Sequence, residues 1–274
     1  MFKIIIMALL IFIGMVGYDS ITDKAQPTTP VQQEQQKISK HEKSAAMALF
    51  TSLLPPKEEW PSPVHKFYLA FNMDEVIDPI RQNPNWTSLD AMSRDIPQAL
   101  IAIEDHAFYN HGAIAVEGIL RAALANINAG EVVQGGSTLT QQFVKNVFLS
   151  HEQSMERKIE EAVLSLMLED NYSKDEILEL YLNTTYFGAG STGIRQASKT
   201  YFGKAPSALT LAEAAVIASL PYAPTSLNPL ENPEGCKKRQ LLVLDAMHKY
   251  GMINQGQLAE AKAEKIRLTN GTVM

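Results

Sequence analysis

The chain is poor in cysteine. Cys236 is its only one in 274 residues, which excludes an internal disulfide framework and a cysteine-built zinc site. Glycine and proline number 15 and 14, too few for a collagen-like or low-complexity fibre. Only one long apolar run occurs, so a multi-spanning membrane protein is excluded. Basic residues are also scarce. They number 24 against 30 acidic ones, a net charge of −6, which argues against a nucleic-acid binder. No Ser-x-x-Lys occurs, so an acylating serine of that type is missing. What is there in quantity is apolar side chain, 46% of the residues, enough to fill the core of one large domain or two small ones.

The one apolar run is N-terminal. Fifteen uncharged residues, IIIMALLIFIGMVGY, lie between Lys3 and Asp19. That is longer than a typical signal core and shorter than the roughly 20 residues of a full span. With Lys3 ahead and no Ala-x-Ala after it, residues 1–18 are expected to be an uncleaved membrane anchor rather than a cleaved signal. Residues 19–63 hold six of the prolines and the stretch VQQEQQK. They read as a linker, with one short helix opened by a Ser39–Glu42 capping box.

From about residue 64 the chain reads as globular. VHKFYLAF is expected as a strand, and helical spacing dominates afterwards. IPQALIAIEDHAF, VEGILRAALANINAG, STLTQQFVKNVFL and SMERKIEEAVLSLMLEDNY each carry an apolar face. Ser173 with Glu176, and Thr210 with Glu213, are capping boxes; Asn232–Pro233 opens another helix, which Gly251 closes. The expectation is a mostly α domain over residues 64–274, with Gly- and Pro-marked loops and no repeats.

Some patterns are decoys. Gly188-Ala-Gly190-Ser-Thr-Gly193 matches GxGxxG by letters but follows a helix, not a strand, so it reads as a loop. His41-Glu42 and His151-Glu152 lack the second histidine of a zinc motif. His106 and His111 have the wrong spacing to ligate from one helical face.

Three features carry chemistry. Glu104-Asp105 ends the apolar stretch ALIAIED and leads into AFYNH, a partly desolvated setting that suits a carboxylate acting as acid or base. QGGSTLTQQ, residues 134–142, puts Ser137 and Thr138 at a helix start. It reads equally as a phosphate cradle or as an ordinary Gly-rich N-cap. Lys145-Asn146 and Arg157-Lys158, with Glu161 one turn on, form either a surface ion pair or a basic pocket for an anion. Together they suggest transfer chemistry on a phosphorylated substrate. Spacing does not show whether Glu104 and Glu161 face each other.

The order of these segments resembles the family 51 glycosyltransferases, the peptidoglycan polymerase domain of class A penicillin-binding proteins and of monofunctional polymerases. EDHAFYNH, GGSTLTQQ, RKIEEA, KDEILELYLN and RQLLVLDAM resemble the family's five motifs in order across residues 104–247. YFGK and LTLAEAA also resemble it. The departures lie after His111, where Gly112-Ala113 replaces the usual x-Gly and Ala115 replaces a common Asp, and at His106, where Arg is frequent.

The resemblance implies a lysozyme-like, two-lobed, mostly α fold, here with an N-terminal anchor helix. It implies an inverting transferase acting on a lipid-linked disaccharide-pentapeptide and a growing glycan strand, with release of undecaprenyl diphosphate. Glu104 is implied as general base, with Glu161 orienting the leaving group directly or through a divalent cation (Mg or Mn). Lys145, Arg157 and Lys158 are implied as the cations facing the diphosphate, and Ser137, Gln142 and Asn146 as positioning phosphates and sugar. The expected location is the bacterial cytoplasmic membrane with the catalytic domain on its periplasmic face, beside other cell-wall synthesis proteins. A lysozyme-like hydrolase with paired carboxylates, or a non-catalytic scaffold, are the alternatives.

Overall fold

The computed structural model describes residues 68–120, 127, 135–149 and 154–274. The expected anchor, the linker with its Ser39–Glu42 box, and most of VEGILRAALANINAG lie outside them. Of the strand expected at VHKFYLAF, residues 64–67 lie outside the described residues, and at Tyr68–Phe71 it is overturned, because these are helical. Asn72 closes this turn, with both its backbone N–H and its side-chain amide donating to the Tyr68 carbonyl. The backbone groups are satisfied locally, so no partner strand is required.

The protein is mostly α. Among the described residues β pairing is limited to two isolated bridges, Tyr186 with Thr192 and Arg267 with Val273. The elements run α1 (Asp74–Arg81), α2 (Asp95–Glu104), α3 (Leu139–Phe148), α4 (Met155–Asn171), α5 (Lys174–Thr184), α6 (Ile194–Phe202), α7 (Leu211–Ser219), α8 (Pro233–Lys249) and α9 (Gln255–Ala263). By contact density the chain divides into residues 1–78 and 79–274, and the elements that matter for the site lie in the second unit.

Capping sets many of the boundaries. Thr138, Ser173 and Thr210 each accept from the backbone N–H three residues on, and the Gln141, Glu176 and Glu213 side chains return the bond. Ser154 and Asn232 cap α4 and α8 from one side only.

Two groups of helices follow from the burial pattern. α7 is buried along its length from Ala212 to Ser219. Its alanines let α2 and α8 approach closely, and α8 presents Cys236, Gln240, Val243, Leu244 and Met247 to the same interior at helical spacing. Gln240 is fully buried and donates to the Ala212 carbonyl at 2.9 Å. In the second group, α3 packs on α4 and α5. Leu139, Phe143 and Val144 of α3 and Leu178, Tyr181 and Leu182 of α5 are buried. Glu169 ties the three together, accepting from Thr140 at 2.6 Å and Lys174 at 2.7 Å.

The GxGxxG letters form the loop between α5 and α6. Gly188, Gly190 and Gly193 all have positive φ. A Cβ would meet the Pro224 carbonyl at 2.3 Å from Gly188 and the Asn183 carbonyl at 2.6 Å from Gly193, so these two glycines serve close packing, while Gly190 faces open space.

Candidate active site

α2 ends at Glu104, and the chain turns sharply through Phe108–Asn110. That turn is pinned to α5. Phe108 is fully buried with the Lys174 ammonium 4.4 Å over its ring, and the Tyr109 hydroxyl donates to Asp175 at 2.7 Å. The turn swings His111 back onto Asp105, with Nε2 to Oδ1 at 2.7 Å and Nδ1 to the Gly112 carbonyl at 2.6 Å. Both ring nitrogens face acceptors, an arrangement that only the imidazolium satisfies. Burial opposes the charged ring, but the Asp105 and Gly112 bonds outweigh it, and the His111 pKa is raised.

The other Asp105 oxygen accepts from the Leu139 N–H at 3.1 Å. This places a carboxylate at the positive end of α3 and locks α2 to α3. Thr138 donates to the Ala113 carbonyl at 2.7 Å, so residue 113 serves here through its backbone. With the Thr138, Leu139 and Gln141 N–H groups all bonded inside the protein, the segment is an N-cap and not an open phosphate cradle. Ser137, just outside the cap, remains directed to the charged cluster.

Glu104 is half-buried, and its Oε2 accepts from Gln142 Nε2 at 2.9 Å. The Gln142 Oε1 accepts from the Tyr181 hydroxyl at 3.0 Å. Tyr181 is wholly buried, and burial first, then the Glu104 charge, pushes its pKa up, so it remains a donor. The result is a fixed relay, Tyr181 to Gln142 to Glu104, running from α5 through α3 to the end of α2.

Glu161 is 2% exposed and faces two cations. Arg157 donates to Oε2 at 3.1 Å, and Lys158 pairs with Oε1. Lys158 also donates to Ser137 Oγ at 3.0 Å, bringing the cluster to the foot of α3. The side chain of Lys158 is 44% exposed, so one face of its ammonium remains open to a ligand. Arg157 Nε is buried with no acceptor among the described residues. Lys145 and Asn146 are exposed on α3, one turn beyond Gln142.

The structure therefore gathers Glu104, Ser137, Gln142, Arg157, Lys158 and Glu161 around one helix, with Lys145 and Asn146 on its next turn. Tyr181 and the Asp105–His111 pair were not singled out from sequence. Their signal was the motifs themselves, since His111 closes EDHAFYNH and Tyr181 sits in ELYLN. Among the described residues no three His, Cys, Asp or Glu side chains cluster to hold a metal. Both Glu161 oxygens are engaged by cations, so Glu161 is not free to serve as a ligand in this arrangement.

All eight candidate residues fall within residues 73–248, which match the family model described as Transglycosylase. The chain belongs to the transglycosylase family. Among similar proteins, a Cupriavidus necator protein described as a "putative transglycosylase" is 40% identical over 71% of this chain and 84% of its own length. Penicillin-binding proteins 1A of Neisseria flavescens and Aquifex aeolicus are each 44% identical, over 68% and 64% of this chain. This transglycosylase-family chain matches only 23% and 24% of the length of those two proteins.

Proposed function

We propose that this transglycosylase-family protein is a peptidoglycan glycosyltransferase, joining lipid-linked disaccharide-peptide units into glycan strands. The supporting observation is the shared scaffold of base and cations. Gln142 on α3 holds Glu104, while Ser137 at the foot of the same helix holds Lys158. A general base and an anion site held by one rigid helix suit attack at a sugar carbon whose leaving group is a diphosphate.

In this reading Glu104 takes the proton from the acceptor's 4-hydroxyl. The new O–C1 bond forms as the C1–O bond to the lipid diphosphate breaks, inverting the anomeric centre. The electron pair leaves on the diphosphate oxygen, where Lys158, Arg157 and Lys145 stabilise it. Glu161 acts through Arg157 and Lys158, holding both in place. Ser137 and Asn146 position phosphate and sugar. No step is routed through a metal. The fold would be lysozyme-like and two-lobed, and residues 1–18 would anchor the protein at the periplasmic face of the cytoplasmic membrane, where both substrates reside.

The test is Glu104→Gln assayed on lipid-linked precursor with glycan products resolved on a gel. Loss of polymer by at least about a hundredfold in a folded protein is expected. Wild-type polymer would remove the base assignment, and fragments released from finished peptidoglycan would favour hydrolysis.

A further inference from the structure

A pocket of about 230 Å³ lies away from these residues, between the loop after α1, the end of α5 and the start of α6. It is lined by Ile80, Asn83, Asn85, Trp86, Asn183, Thr184, Thr192 and Gln196. None of Glu104, Gln142, Lys158 or Tyr181 lines it, and neither does any charged side chain.

Its walls are held in place by hydrogen bonds. Asn183 is used in full. Its Oδ1 accepts from the Thr87 N–H, and its Nδ2 donates to the Thr87 and Glu179 carbonyls, each at 2.8 Å. Arg195 reaches across from α6 to Thr87 Oγ1 and the Trp86 carbonyl, both at 3.2 Å. The Trp86 N–H bonds back to the Asn83 carbonyl at 2.8 Å. Gly193 lets α6 begin against the Asn183 carbonyl, an approach that any Cβ would block. The loop carrying Trp86 is thus clamped to two helices before any ligand arrives.

We infer that this pocket binds one uncharged sugar residue as a site ancillary to the reacting centre. An indole presents a flat apolar surface for the C–H face of a pyranose ring. Asn183 and the Thr184 hydroxyl are spent inside the protein, but the Asn85 amide, the Asn83 and Gln196 NH2 groups and the Thr192 hydroxyl remain for a ligand. They supply both donors and acceptors, matching sugar hydroxyls or an acetamido group. The lack of a lining charge disfavours a phosphate or carboxylate ligand. The volume is below the roughly 300–1,000 Å³ of drug-sized pockets and suits a single ring. The sugar class follows from this lining and does not depend on the polymerase reading.

The chain has two tryptophans, so Trp60→Phe leaves Trp86 as the sole indole reporter. Titrating that protein with di-N-acetylchitobiose is expected to give a saturable change in Trp86 fluorescence, with a Kd of order 1 mM, about −4 kcal/mol. Gln196→Ala and Asn85→Ala, placed separately in this background, should each weaken binding several-fold. Glu104→Gln should leave it unchanged. Circular dichroism checks that each variant is folded. No saturable response, undiminished affinity in both alanine variants, or a response to an uncrosslinked stem pentapeptide but not the sugar would overturn the assignment. Polymerisation measured on the same samples separates the two readings. Polymer without sugar binding sinks only this site, and sugar binding without polymer sinks only the polymerase.

Discussion

At the scale of single residues, the site depends on orientation. Glu104 has one oxygen held by Gln142, and Gln142 can donate to it only while its amide keeps the observed flip. Tyr181 fixes that flip by donating to the amide oxygen. Tyr181→Phe removes the donor and leaves the ring packing intact. Turnover is expected to fall about fivefold to tenfold, about 1–1.4 kcal/mol of one hydrogen bond, with KM little changed. Steady-state kinetics on lipid-linked precursor measures it. A purely structural role for Tyr181 would lower the melting temperature without this split. The raised Tyr181 pKa also means that Tyr181 itself does not ionise across the working range, so Tyr181→Phe removes no titrating group and should leave the shape of the pH–rate profile unchanged.

At the scale of elements, the short turn after α2 couples three helices through Asp105, His111 and the Tyr109–Asp175 bond. His111 has a folded-state pKa raised above its unfolded value of about 6.5. The folded state therefore binds the proton more tightly than the unfolded one. The stabilisation is fully present below about pH 6.5 and is lost as pH rises through the higher folded value. Thermal melts across that window should show a fall in stability on the alkaline side that is absent in His111→Phe. An unchanged pH slope in the variant would remove His111 from the coupling. Capping belongs to this scale as well. Ser173 with Glu176 and Thr210 with Glu213 were readable as boxes because cap and return bond lie three residues apart. The strand expected at VHKFYLAF failed because its apolar residues are consistent with either period, and Asn72 closes a helical turn.

At the scale of the whole molecule, the interior formed by α2, α7 and α8 encloses the single cysteine. Cys236 is fully buried, and burial pushes its pKa up to about 11. It should not react with a thiol reagent at pH 8 in the native protein and should react at once in denaturant. Labelling at intermediate denaturant then reports opening of this helix group. Rapid labelling without denaturant would show that α8 is not packed on α7 as described.

Local order was determined by the sequence alone: helix starts, their apolar faces, the motif residues from Glu104 to Met247, and the loop nature of the Gly188–Gly193 segment. These rest on patterns within one to four residues, where chain geometry leaves few choices. Tertiary structure alone decided which of those residues meet. Glu104 finds Gln142 across 38 positions, Gln142 finds Tyr181 across 39, and Lys158 finds Ser137 across 21. It also decided between cap and phosphate cradle at Ser137–Thr138, and showed that Glu161 is sealed behind Arg157 and Lys158. Such pairings depend on how buried faces pack, and no residue's nearest neighbours along the chain record that.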